Sequence, residues 1–379
     1  MTGRLCVILP TYNRADLIAE TLDSLLVQSR PIDQLLVVDD GSTDGTGEIV
    51  GEYGDRVQYV HRENGGKASA LNYGLGEVSG DYVWVCDDDD LIDRDAAERL
   101  CAELDRDPGL GYCAGRHEDF TVDPETGEHD IKPPGYWRAS EPDELFSDLL
   151  DGCHIFQPGL IVRKSVYDQV GPFDPKLTRS QDFEMMLRVA RASRGKLLHE
   201  RVFLHREHLG DRGSAKERFS AEKMKAKWIK FHRMIMEPLM ADLSDEELLP
   251  ARVWGDREHV AIRGRIARVK RASVFARHMM WPEAAASFHR LAEQAELPFS
   301  DYEERLIGQA TLSSFGATPL YHDDEVRRAF RSLKSVSPSG RRILELLAKS
   351  LHWRAKDAVK AGAWQDATRI ASFAVAARL

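Results

Sequence analysis

The chain has 379 residues, with 62 acidic against 52 basic side chains and a formal net charge of −10, which argues against a general nucleic-acid binder. Its 42% hydrophobic and 30% charged content is that of a folded globular protein long enough for two domains. No run of about 18 apolar residues is present, so no membrane-spanning helix is expected.

Met1-Thr2-Gly3-Arg4 leads directly into a strand-like run, which predicts no secretory signal. Five scattered cysteines without a C-x-x-C pair predict reduced thiols and a cytoplasmic location. Leu5 to Leu9 reads as a first strand ended by Pro10, and Ala15 to Leu26 as an amphipathic helix. Gln34 to Val38 is a second strand, followed by the turn-rich Asp39-Asp40-Gly41-Ser42-Thr43-Asp44-Gly45. A helix over 46–53, a strand over 57–61, a helix over 67–76 and a strand over 82–86 complete the alternation. Such alternation predicts a largely parallel α/β sheet, with ligands gathering at the carboxyl ends of its strands. Pro10-Thr11, Asp39-Asp40 and the tract Asp87-Asp88-Asp89-Asp90 all fall at such ends. Four adjacent carboxylates fixed at a strand end repel one another and call for a cation.

Further on, residues 123–142 read as a loop carrying Tyr136 and Trp137, Leu160 to Val162 as a strand and 183–192 as a helix. From about residue 215 strand signals fade. Lys216 to Arg233 is basic and amphipathic, and 260–281 holds Arg263, Arg265, Arg268, Lys270, Arg271 and Arg277 without an acidic residue. Trp281-Pro282-Glu283-Ala284 and Trp364-Gln365-Asp366-Ala367 form a faint internal echo, compatible with tetratricopeptide-type helix pairs or a plain bundle.

Val7-Ile8-Leu9-Pro10-Thr11-Tyr12-Asn13-Arg14, Val37-Val38-Asp39-Asp40-Gly41-Ser42, Asn64-Gly65-Gly66-Lys67, the aspartate tract, Val170-Gly171-Pro172-Phe173-Asp174 and Gln181-Asp182-Phe183-Glu184 occur in an order that resembles glycosyltransferase family 2. The resemblance covers about residues 4–214. It implies a GT-A fold, a Rossmann-like mixed sheet flanked by helices, over residues 1–215. A basic helical connector over 216–240 and a C-terminal all-α region over 241–379 would follow. It further implies an inverting transfer from a nucleotide-diphospho-sugar, by family habit a UDP-sugar, to an acceptor hydroxyl in polysaccharide or glycoconjugate synthesis, with Mn²⁺ or Mg²⁺.

On that resemblance Pro10, Thr11, Asn13, Arg14, Asp39, Lys67, Asp87, Asp88 and Arg212 would contact the nucleotide sugar. Asp39 would accept from the uracil imide. In an extended segment Asp87 and Asp89 project to one side, and Asp89 would hold the metal with His208, His205 remaining the alternative. Asp88 stands where the family has a small residue and leaves the register open by one. Asp182, at a helix N-terminus, would be the general base. Trp137, His154 and Phe156 would meet the acceptor, a glycan, lipid-linked or peptide group. The basic tail leaves open peripheral contact with the inner membrane face, a homodimer, or a solvated surface. A nucleotidyltransferase is disfavoured because no Gly-rich basic loop follows the first strand, and a non-catalytic scaffold because Asp87, Asp89 and Asp182 are all present.

Overall fold

A computed structural model describes residues 2–137, 140–207, 221–294, 296 and 298–378. The chain divides into two compact units, Met1–Phe146 with Cys153–Lys223, and Ser147–Gly152 with Met224–Leu379.

The first unit is built on a nine-stranded sheet. Its strands are β1 (Leu5–Thr11), β2 (Gln34–Asp39), β3 (Gln58–His61), β4 (Tyr82–Val85), β5 (Leu91–Ile92), β6 (Leu110–Val122), β7 (His129–Ile131), β8 (Leu160–Arg163) and β9 (Arg194–Arg206). The order is β3-β2-β1-β4-β8-β6-β9-β5, with β7 paired to β6. The first four strands are mutually parallel, as the alternation predicts. The sheet as a whole is mixed, because β8 runs antiparallel to both β4 and β6. Pro10 continues β1 rather than ending it. Even-numbered residues of β1 face β4, and that ladder stops at Ile8 opposite Val85. The missing N–H of Pro10 therefore costs no sheet hydrogen bond.

Helix α1 (Ile18–Leu26) buries Ile18, Thr21, Leu22 and Leu25, one stripe at helical spacing, while α2 (Thr46–Gly51) follows the β2 turn. Helix α3 (Lys67–Glu77) packs closely on the sheet at Gly74, where an added Cβ would come 2.6 Å from the Ile8 side chain. Helix α4 (Ala96–Arg106) covers the sheet with Ala97, Leu100, Cys101 and Leu104, joining a core that includes Leu5, Val7, Val37, Trp84 and Phe203.

The second unit is helical. Its longer helices are Ala221–Asp242, Arg263–Arg277, Trp281–Gln294, Pro338–Ser350 and Trp364–Arg378. Ile266, Phe288, Leu291, Phe330, Ile343, Leu347 and Phe373 are buried in it. The tryptophan echo marks two helix starts but not equivalent packing: Trp281 is 2% exposed and Trp364 is 65% exposed. The cations of 263–277 largely face inward. Arg265 pairs with buried Glu303, Lys270 with Asp151, and Arg271 donates to the carbonyls of Met240 and Leu243. Arg268 of the same run is exposed. Among the described residues no helix is long and apolar enough to cross a membrane.

Candidate active site

The ends of β1, β2 and β4 carry loops that lock into one another. Asn13 adopts a positive φ of 52°, donates its N–H to Ser42 Oγ (2.8 Å) and accepts from the Thr43 N–H (2.8 Å). Pro10 and Thr11 are buried beneath this loop. Asp39 is 0% exposed; its carboxylate accepts from the Ser42 N–H (2.7 Å) and from the Tyr59 hydroxyl (2.5 Å). His61 Nδ1 lies 3.5 Å from the same carboxylate. Asp39 thus holds the turn that follows β2, with Tyr59 and His61 against its carboxylate.

Asp40 does something other than cap α2. Its two carboxylate oxygens accept from the Gly65 N–H (2.8 Å) and the Gly66 N–H (2.7 Å), and its carbonyl accepts from the Asn64 amide (2.8 Å). Gly66 sits at φ 88°, a region that costs glycine little. This grip starts α3 and aims Lys67, whose ammonium pairs with Asp87. Burial disfavours the Lys67 charge, but Asp87, Asp182 and Asp88 outweigh it and hold the ammonium above its ordinary range.

The aspartate tract is a turn at Asp88-Asp89, not an extended segment. Asp87 and Asp89 are nonetheless the partly open pair, while Asp88 and Asp90 are buried. Arg14 donates Nε to Asp88 (3.3 Å) and lies 3.8 Å from Asp89. Burial pushes the Asp88 carboxyl up to about 6 against the pull of Arg14. Asp90 is turned inward, accepts from the Arg206 N–H (2.9 Å), and is held well above the carboxylate range by burial and by Asp87 and Asp89. Its Oδ2 is buried without a hydrogen-bond partner among the described residues.

Arg206, at the end of β9, fastens the tract. Its Nε donates to the Asp89 carbonyl (2.8 Å), its guanidinium meets Glu20 (2.9 Å), and it lies over the Phe120 ring at 4.6 Å. Arg206→Met should remove these bonds. The expected loss is about 1–3 kcal/mol of stability in a urea titration. Unchanged stability of the variant would show that the tract holds its shape without Arg206.

Asp182 opens the helix Gln181–Ala192, directly after Ser180 at φ 58°. Its Oδ1 accepts from the Phe183 N–H (2.8 Å). Burial raises its pKa, Lys67 opposes that, and Asp87 adds to it. Lys67 therefore lies within electrostatic reach of both Asp87 and Asp182, and joins segments far apart in the chain into one site. Asn72 braces it from α3, donating to the Phe173 carbonyl (2.9 Å) and accepting from its N–H (2.7 Å).

Residues 6–171 match the family described as Glycosyl transferase family 2. The likeness to family 2 glycosyltransferases thus holds over that stretch, somewhat less than half of the chain. An uncharacterized glycosyltransferase of Rickettsia typhi is 30% identical over 210 residues, 53% of this chain and 63% of that protein. A poly-beta-1,6-N-acetyl-D-glucosamine synthase of Staphylococcus aureus is 33% identical over 111 residues, 28% of this chain and 27% of that one. These matches span less than two thirds of each curated relative. The structure of S. aureus TarS 1–349 in complex with UDP-GlcNAc aligns over 95% of this chain and 92% of that one, at a TM-score of 0.53 and 19% identity. The fold is accordingly GT-A, with a C-terminal helical region.

The aromatic candidates fall into two groups. His154 meets Trp137 (5.9 Å between centroids) and the exposed Tyr136 (6.5 Å). Phe156 instead packs on His117 (4.4 Å) and His205 (5.1 Å), and His205 Nδ1 is 2.9 Å from Asp119. His117 and Asp119 on β6 went unread because that half of the strand, Arg116-His117-Glu118-Asp119, has no apolar alternation. His205 is engaged by Asp119 and Phe156 rather than by the tract. His208 and Arg212 lie outside the described residues. Among the described residues no three His, Cys, Asp or Glu side chains form a ready-made metal cluster.

Proposed function

We propose that the chain is an inverting glycosyltransferase that moves a sugar from a uridine-diphosphate sugar to an acceptor hydroxyl. The observation that carries this reading is Lys67 paired with Asp87 and within electrostatic reach of Asp182. The similarity to a poly-N-acetylglucosamine synthase and to a fold solved with UDP-GlcNAc supports that donor as the first to try.

The residues fit a hard divalent cation. The tract presents two partly open carboxylates, Asp87 and Asp89, beside the cations of Lys67 and Arg14, and among the described residues the buried Asp90 Oδ2 has no hydrogen-bond partner. Asp89 would hold Mn²⁺ or Mg²⁺, with substrate phosphates completing the shell as is usual for such sites. When bound, the ion would neutralise charge on the departing nucleoside diphosphate.

The chain's own groups do the rest. Asp182, ionised, accepts the proton of the acceptor hydroxyl as that oxygen bonds to the anomeric carbon. The bond from that carbon to the diphosphate oxygen breaks in the same step, and its electron pair leaves with the nucleoside diphosphate. Lys67 stabilises the gathering negative charge. Attack opposite the leaving group inverts the anomeric centre.

A thermal-shift panel of UDP-, GDP- and dTDP-sugars with Mn²⁺ tests the donor. UDP-sugars should raise the unfolding temperature most, since a ligand at 100 times its Kd stabilises by about 2.7 kcal/mol. A rise with GDP-sugars alone would overturn the uridine assignment.

A further inference from the structure

The short segment Ser147–Gly152 lies between two stretches of the catalytic unit yet folds with the helical one. Its attachment is dense. Lys270, 3% exposed, pairs with Asp151 (2.8 Å) and donates to the Ser147 carbonyl (3.0 Å). Arg277 Nε donates to the Asp151 carbonyl (2.6 Å), and His278 Nε2 to the Leu150 carbonyl (2.9 Å). Ser147 Oγ donates to the Leu248 carbonyl (2.9 Å). A buried lysine needs such partners to keep its charge. Here they fix the backbone carbonyls of Ser147, Leu150 and Asp151, at the end of the short helix Leu145–Leu149 and in the turn after it.

Directly after this anchor come Cys153, His154, Ile155 and Phe156. The Cys153 thiol donates to the Ile155 carbonyl (3.1 Å) and lies within electrostatic reach of Asp182. Only Gly152, at φ 148°, separates Asp151 from Cys153. Two peptide bonds thus join the anchored Asp151 to Cys153, at the start of the segment 153–156.

We propose that Lys270 and Arg277 are positioning residues for the acceptor-side segment 153–156, acting through Asp151. The proposal rests on the reading of Asp182 as base and of His154 and Phe156 as acceptor contacts. Side chains of the helical unit would then govern acceptor use without touching substrate.

Cys153 supplies a built-in reporter, because it is exposed while Cys6, Cys86, Cys101 and Cys113 are buried. Iodoacetamide labelling of the full chain should be slow at Cys153 in the wild type, since its thiol is tied to the Ile155 carbonyl and its pKa, raised to about 12, leaves little reactive thiolate. Lys270→Met combined with Asp151→Asn should speed that labelling several-fold, while the four buried cysteines stay unlabelled. Lys270→Arg should restore the wild-type rate. Equal rates in all three proteins would overturn the proposal, as would labelling of the buried cysteines at the same rate, which reports general unfolding.

In a second arm, UDP-GlcNAc is the donor and a β-linked N-acetylglucosamine oligosaccharide the acceptor probe. The double variant should show a several-fold higher acceptor KM at unchanged donor KM, and an unchanged acceptor KM would overturn the functional half of the proposal. A wild type inert toward this pair counts against the donor and acceptor reading instead, and the labelling arm still decides the anchor.

Discussion

Asp182→Asn should abolish transfer while donor binding remains at the wild-type level. The substitution keeps the shape of the side chain and its place at the helix start, but replaces the carboxylate that would take the acceptor proton in the proposed reaction. General-base contributions of this kind are worth roughly 10²–10⁴-fold in rate. The pH dependence sharpens the test. The active form is ionised, so kcat/KM should rise with pH through the folded-state pKa of Asp182. Burial places that limb above the ordinary aspartate value of about 3.9. Lys67 lowers the same pKa. Lys67→Met should therefore move the acid limb to higher pH, whatever it does to the absolute rate. Normal transfer by Asp182→Asn would remove Asp182 from the base role. A limb that stays put in Lys67→Met would mean that another group titrates.

The parts of the fold read correctly from sequence are those where one local signal suffices. The runs that became β1, β2 and β4 are continuously apolar because both faces of a central parallel strand are buried. The stripe of α1 is equally plain. Strands β6 and β9 are longer, but their register is broken by shifts near Gly111, Gly115 and Arg116. Their outer halves carry Arg116-His117-Glu118-Asp119 and His205-Arg206, chosen by contacts across the ladder rather than by alternation. The same limit applies to the site. Asp87, Lys67 and Asp182 were visible because each ends or starts an element. The grip of Asp40 on Gly65 and Gly66, and of Arg206 on Asp89 and Asp90, joins residues whose spacing says nothing of their meeting. The interleaving of Ser147–Gly152 with the helical unit was hidden for the same reason: Lys270 and Asp151 read as ordinary surface charges until burial shows otherwise.

Asp89→Ala should remove the metal dependence of donor binding. The four aspartates have separated into different environments. Lys67 holds Asp87. Asp88 is buried against Arg14, and its carboxyl, pushed up to about 6, resists ionisation. Asp90 is turned into the core under Arg206. Asp89 has its carbonyl fixed by Arg206, with its side chain near Arg14 and partly open. A hard cation is best served by an ionised, partly open carboxylate on a fixed backbone, and Asp89 meets that description better than its neighbours. In calorimetric titration with UDP-GlcNAc, the wild type should bind more tightly with Mn²⁺ than with EDTA. Asp89→Ala should bind alike in both, about 10²-fold more weakly than the metal-loaded wild type, or about 2.7 kcal/mol. Asp88→Asn should keep most of the Mn²⁺ response, because it replaces a carboxyl that is neutral much of the time near pH 6. If Asp88→Asn loses the response and Asp89→Ala retains it, the metal register shifts by one residue, and Arg14 becomes the partner that Asp88 must release when the ion binds.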